Sequence, residues 1–290
     1  MATGMCKDCL KGSVHEGETK GHVTTIHGFD TYVSHPAVPT KSAILVLIPD
    51  GMGWSSPNMR LTADRFANRT GCTVYLPDFM AGYQMPLWVM DLPIEDILHN
   101  WTSPKSLLMK PYYFFWALYA MIPFRLTNGI PKSHERVVKF FTALRKDEGK
   151  ENLVGVAGFC WGGKHAFLLG AEKDGDGEYL IDFAFAGHPS RVEIPKEIEE
   201  LQTPISVAMG TEDFMNKMEF SKGMKELLEK KEGRAGGSEL VFYEGGNHGF
   251  ACRADLKNER LKECADAAED HFVRWVERMV ERLGAGRSTS

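Results

Sequence analysis

Residues 158–163 read Gly-Phe-Cys-Trp-Gly-Gly, directly after the apolar run LVGVA. A cysteine at the exit of a buried strand, bracketed by glycines, fits a nucleophile elbow. Such a turn is strained, holds one reactive side chain out over the sheet, and needs small neighbours to avoid clashes. Glycines also serve a plain strand-to-helix turn, and a free cysteine is often a small core residue. The other residues with chemical potential decide between these readings. Gly210-Thr211-Glu212-Asp213 follows the run PISVAM, and Gly245-Gly246-Asn247-His248-Gly249-Phe250 follows ELVFYE. A thiol attacks as its thiolate, which is about a few per cent of the population at neutral pH when unperturbed. Cys160 at a helix N-terminus gains from the backbone N–H groups there. Of ten histidines, His248 is the one in a glycine-rich turn after the last strand, so it is the candidate base. Asp213 is the candidate acid that fixes the imidazole tautomer and stabilises the imidazolium, with Glu212 beside it as a competitor. By composition a GxCxG pattern should arise by chance roughly 0.06 times in such a chain.

These residues need a scaffold that brings distant turns together. HVTTIHGFDTYV (22–33) reads as two short strands joined at Gly28. SAILVLIP is continuously apolar, as expected of a strand covered on both faces. The stretch after it, SPNMRLTADRFANRTG, has helical apolar spacing and a terminal glycine. CTVYLPD, LVGVAG, IDFAFAG, PISVAMG and ELVFYEG read as further strands. Helical patterns at 131–148, in WGGKHAFLLGA, in MNKMEFSKGMKELLEKK and in a long closing segment from Ala254 separate or follow them. Strands alternating with helices predict an α/β fold, a mainly parallel sheet with helices on both faces. In such sheets ligands bind beyond the carboxyl ends of the strands, which is where the cysteine, acid and histidine fall. Nucleophile, acid and histidine in that chain order are the order of α/β-hydrolases.

Around the three residues, the same fold predicts an oxyanion hole. One donor is the backbone N–H of Trp161, after the nucleophile; the other comes from the loop after the early strand, where Gly51 in Pro49-Asp50-Gly51-Met52-Gly53 lets backbone approach substrate. An ordinary turn explains that loop equally well. His188, in AGHPS, ends another strand and is a candidate pocket residue or a structural turn. Tyr83, with Trp54 and Trp88, is a candidate for an apolar wall, and core packing is the alternative for each.

At GFCWGG, GTED and GGNHGFACR, and from about residue 22 to the closing helix, the chain resembles the dienelactone hydrolase family, the α/β-hydrolase branch that uses cysteine where most relatives use serine. That resemblance implies Cys160 as nucleophile, Asp213 as triad acid and His248 as base. It also implies an acid, usually Glu, that touches the resting thiol from the turn after an early strand; Asp50 holds that place with one methylene fewer. Family members carry an arginine shortly after the histidine for a substrate carboxylate. Here Cys252 stands near that position and Arg253 one residue later. Residues 79–130 look expanded relative to the small bacterial enzymes.

Length and composition set bounds on this reading. A chain of 290 residues can form one α/β domain, expected over 22–290 with a lid-like segment at about 79–130 and a mobile arm over 1–21. A net charge of −5 offers no basic footprint for nucleic acid. The polar opening has no apolar signal region, so a cytoplasmic protein with its six cysteines as free thiols is expected. Cys6-x-x-Cys9 with His15 and His22 lacks the second pair of a structural zinc site, so no metal or other cofactor is expected. PYYFFWALYAMIPF (111–124) is too short to span a bilayer. It reads first as a buried helix and second as the wall or lid of an apolar pocket.

Chemistry narrows the expected reaction. A thiolate is also a good leaving group, so its tetrahedral adduct collapses productively when the substrate's own leaving group is competent, as in enol esters, lactones and thioesters. The expectation is hydrolysis of an activated ester or lactone, a small-molecule substrate, through an acyl-cysteine, by a monomer or weak dimer. The alternatives are a thioesterase or acyltransferase acting on a polyketide-like intermediate, suggested by the apolar stretch at 107–128, and a non-catalytic protein whose Cys160 senses oxidants.

Overall fold

A computed structural model describes residues 13–39, 41–91 and 103–287 of the chain. Its first strands, β1 (His22–Ile26) and β2 (Phe29–Ser34), form an antiparallel hairpin. The turn places His27 at φ 50° and Gly28 at φ 82°, the two successive left-handed residues that a two-residue hairpin loop requires. Next come β3 (Ala43–Ile48), α1 (Pro57–Thr70) and β4 (Thr73–Pro77). Proline opens α1, and Gly71 closes it at φ 71° with its N–H donating to the Ala67 carbonyl, the left-handed cap that only glycine adopts without cost.

Two helices, α2 (Pro104–Asn128) and α3 (Ile130–Lys146), precede β5 (Leu153–Phe159) and α4 (Trp161–Leu169). The chain then runs through β6 (Phe183–Gly187), α5 (Lys196–Glu200), β7 (Ile205–Glu212) and α6 (Met218–Glu229). It finishes with β8 (Glu239–Asn247), α7 (Phe250–Arg253) and α8 (Glu259–Arg287). The sheet order is β1-β2-β4-β3-β5-β6-β7-β8. Its first two pairings are antiparallel and the rest parallel, so the exits of β3, β5, β6, β7 and β8 share one rim.

Both faces of the sheet are covered, and the strand sequences show why. Ile44, Val46 and Ile48 point into a core with Val137, Phe140 and Phe141 of α3. Ala43, Leu45 and Leu47 point the other way, toward Phe66 of α1 and Phe272 of α8, whose rings stack at 3.9 Å. Each such buried Val, Leu, Ile or Phe side chain contributes roughly 1.5–3 kcal/mol relative to exposure.

Two expectations need correction. The mobile arm does not extend over 13–21: the Ser13 N–H donates to the Arg253 carbonyl, the His15 N–H to Asn58 Oδ1, and the Lys20 N–H to Asp64 Oδ2. Polar composition signalled mobility, but the partners are buried polar groups far along the chain. Residues 1–12, including Cys6 and Cys9, lie outside the described residues, as do 92–102 of the lid-like segment. Nor is the 111–124 run a buried helix. It lies within α2, where Ala120 and Phe124 are buried but Tyr112, Phe114, Phe115 and Tyr119 are all more than half exposed. Apolar residues on every side of a helix leave its sequence with no polar stripe to mark the solvent face.

The elbow constrains its glycines by direct contact. A methyl on Gly162 would overlap the Ile48 carbonyl oxygen, and one on Gly158 the Gly162 carbonyl oxygen. Gly162→Ala is therefore expected to lose at least about 2 kcal/mol in urea unfolding, whereas Gly175→Ala, whose new methyl meets nothing within 4 Å, stays within about 0.5 kcal/mol of the parent.

Candidate active site

Cys160 sits between β5 and α4 with φ 53° and ψ −109°, a conformation costing about 1–3 kcal/mol for a residue with a side chain. Backbone hydrogen bonds hold it there. The Cys160 N–H donates to the Gly187 carbonyl, and its own carbonyl accepts from the Gly163 and Ser190 N–H groups. The side chain is half-buried at the strand rim.

Register delivers the other two groups. Glu212 of β7 pairs with Asn247 of β8 after a bulge between Gly210 and Glu212, so the next residues, Asp213 and His248, leave the sheet side by side. A methyl on Gly210 would overlap the Gly246 carbonyl oxygen, which explains the small residues in both turns. His248 Nε2 lies 3.0 Å from Cys160 Sγ, and its Nδ1 lies 2.9 Å and 3.1 Å from the two Asp213 carboxylate oxygens. Asp213 also accepts from the N–H groups of Met215 and Asn216. Glu212 turns outward to an ion pair with Arg260, so the geometry separates the two neighbouring acids.

Burial alone would push the Cys160 thiol up. The facing His248 charge and hydrogen bond outweigh it, so the thiol ionises below its ordinary value. Burial alone would likewise disfavour the His248 cation, yet the Cys160 thiolate and Asp213 raise it to about 9. Each charge thus favours the other, and an imidazolium so placed can return its proton to a leaving group.

The remaining candidates divide. Trp161 is the first residue of α4, where helical N–H groups have no carbonyl one turn back. Its indole N–H donates to the Asn128 carbonyl. The Gly162 N–H donates to the Pro49 carbonyl, which ties the loop containing Gly51 to the elbow. Asp50 is buried and pairs with Arg253 at 3.1 Å; among the described residues it makes no hydrogen bond to Cys160, whose thiol faces His248 instead.

His188 is fully buried at φ 37°, with its ring edge-on to His248 at 5.0 Å. Burial lowers its pKa well below the ordinary value, so it packs there as a neutral ring. Tyr83 is 54% exposed and has no hydrogen bond or ring contact with this cluster among the described residues. The Arg60 guanidinium lies over the Trp54 ring, and Trp88 meets Trp116 edge to face.

Two neighbours escaped the sequence reading, and a third was noted there only for its place beside Arg253. Asn216 donates to the Pro189 carbonyl and to Asp213, bracing the carboxylate. Phe214 packs its ring against His248 at 5.4 Å. Cys252, buried, donates from its thiol toward Asp50 and faces His188 Nε2 at 3.7 Å. The position of Cys252 next to Arg253 was the one available signal. Among the described residues, His27, Asp147 and Glu148 have metal-ligand spacing, but Glu148 is already engaged by His27 and the Tyr75 hydroxyl. His15, considered for a knuckle with Cys6 and Cys9, faces the Ala254 carbonyl.

A mainly parallel sheet with a cysteine elbow, an acid after β7 and a histidine after β8 defines an α/β-hydrolase fold. The dienelactone hydrolase family model matches residues 29–283. The chain belongs to the dienelactone hydrolase family and is a carboxylic ester hydrolase of that type. The hydrolase pyvD of Aspergillus violaceofuscus is 25% identical over 278 residues, covering 94% of this chain and 96% of that one. Dienlactone hydrolase 1 of Gibberella moniliformis is 24% identical, covering 94% of each. A putative dienelactone hydrolase structure from Klebsiella pneumoniae superposes with a TM-score of 0.58 at 14% identity, covering 86% of this chain and 92% of that one; this likeness speaks for the fold.

Proposed function

We propose that the protein hydrolyses an activated carboxylic ester or enol-lactone through an acyl-cysteine, with Cys160 as nucleophile, His248 as base and then acid, and Asp213 orienting the imidazole. The observation that carries this reading is His248 Nε2 at 3.0 Å from Cys160 Sγ while Nδ1 faces Asp213 at 2.9 Å. The thiolate attacks the carbonyl carbon, and the N–H groups of Trp161 and Gly51 receive the developing oxyanion, each such donor being worth about 3 kcal/mol. Collapse expels the alkoxide or enolate, which takes the proton on His248 Nε2. Water then attacks the thioester, with His248 accepting its proton, and the carboxylate leaves as the thiolate is restored. Arg253 and Asp50 stand beside this centre as substrate-binding candidates; His188 supports the His248 ring.

The pH dependence tests the charge state directly. Below the lowered Cys160 pKa the thiolate is lost; above about 9, His248 loses the proton it must deliver. Hydrolysis of an ester with a poor leaving group should rise through the first and fall near the second. Alkylation of Cys160 by iodoacetamide, which needs only the thiolate, should reach its plateau at lower pH than alkylation of an ordinary thiol. A rate that keeps climbing tenfold per pH unit to above pH 8.5 would show an ordinary thiol and remove the ion pair from the mechanism.

A further inference from the structure

The helix α2 is the least explained feature of the molecule. It is 25 residues long, roughly 37 Å. Leu108 is 80% exposed, Phe115 61% and Ile122 50%; at about 100° per residue these three fall within about 40° of one another. Tyr112, Phe114, Tyr119 and Leu126, also exposed, widen the stripe to about half of the helix circumference. Charge is segregated too. Residues 103–134 contain Lys105, Lys110, Arg125 and Lys132 and no Asp or Glu, in a chain with 39 acids and a net charge of −5. Lys105 and Arg125, near the two ends of the stripe, are exposed.

We infer that this face docks on an anionic lipid surface, with α2 lying in the interface plane. No helix among the described residues is long and apolar enough to cross a membrane, but an interfacial helix needs only an apolar face with basic flanks and aromatic rings at headgroup depth. A second copy of the chain is the competing occupant, and the charges oppose it. Two-fold pairing of α2 helices, parallel or antiparallel, brings the basic ends onto basic ends, with no acid on the helix to neutralise them. Anionic headgroups supply the missing countercharge.

The helix also reaches the centre described above. Phe124 packs on the Trp161 ring at 6.4 Å, and the Asn128 carbonyl accepts the Trp161 indole N–H, so docking sets the elbow close to the lipid. On the reading proposed above, esters dissolved in the membrane are then the substrate class.

Flotation of the full chain with vesicles reads binding alone, so its outcome is independent of whether Cys160 is the nucleophile. Vesicles of phosphatidylcholine with one-third phosphatidylserine should bind the protein at least tenfold better than phosphatidylcholine alone, and rising salt should erode the difference. The triple variant Leu108→Asp, Phe115→Asp, Ile122→Asp should lose at least tenfold in binding while keeping the parent's circular dichroism and melting temperature. Lys105→Gln with Arg125→Gln should lower the anionic preference about tenfold. A folded parent that floats with neither vesicle overturns the inference. So does a parent that sediments as a dimer without lipid, is split to monomers by the triple variant, and binds vesicles equally well in both forms.

Discussion

Cys160→Ala is expected to fold normally and to lose at least about 10⁴-fold in kcat/KM toward enol acetates and aryl esters. The size follows from what the substitution removes. Without sulphur there is no covalent intermediate, and the surviving oxyanion donors and imidazole can only assist water. The fold should tolerate the change, because the strained turn is held by backbone bonds from Cys160 to Gly187, Gly163 and Ser190, none of which uses the thiol. Matching far-ultraviolet spectra and melting curves with absent turnover would fit the mechanism. Parental rates in the variant would end it.

His248→Ala should cost a comparable factor, at least about 10³, for two separable reasons. The substitution removes the proton donor for the leaving group, and it takes from Cys160 the charge and hydrogen bond that most favour its thiolate. Burial, joined by the Asp50 charge, then outweighs the smaller pull of Arg253 and pushes the thiol up. Iodoacetamide reactivity should accordingly shift to higher pH in this variant, with little reaction at pH 7. Because thiol and imidazole act as a unit, Cys160→Ala combined with His248→Ala should be no slower than the worse single variant by more than a few-fold. Fully multiplicative losses would show that the two groups work independently.

The structure also shows why some of this was readable from residues and some was not. The hairpin turned on Gly28, and the doubly covered strands announced themselves as uninterrupted apolar runs, because side chains alternate between two buried faces. Cys160 and His248 were legible because an elbow and a glycine-rich turn impose local composition. The choice between Glu212 and Asp213 was not local: a bulge and the Glu212–Asn247 register settle which acid meets the imidazole. The pairing of Asp50 with Arg253 joins residues at opposite ends of the chain, and no spacing rule encodes it. Asn216 gave no signal because its task, bracing Asp213 against the Pro189 carbonyl, depends on where β6 ends. The exposure of α2 was hidden because hydrophobicity says that a surface wants covering and not what covers it.

The central claim is that sulphur of Cys160 carries the acyl group. Intact-protein mass spectrometry, quenched in acid within seconds of mixing with a panel of activated esters, tests it most directly. The expected result is a mass gain of one acyl group, mapped to the peptide containing Cys160, that decays at the turnover rate and is absent in Cys160→Ala. Turnover with Cys160 unmodified at every quench time, or with the acyl group on another residue, would contradict it.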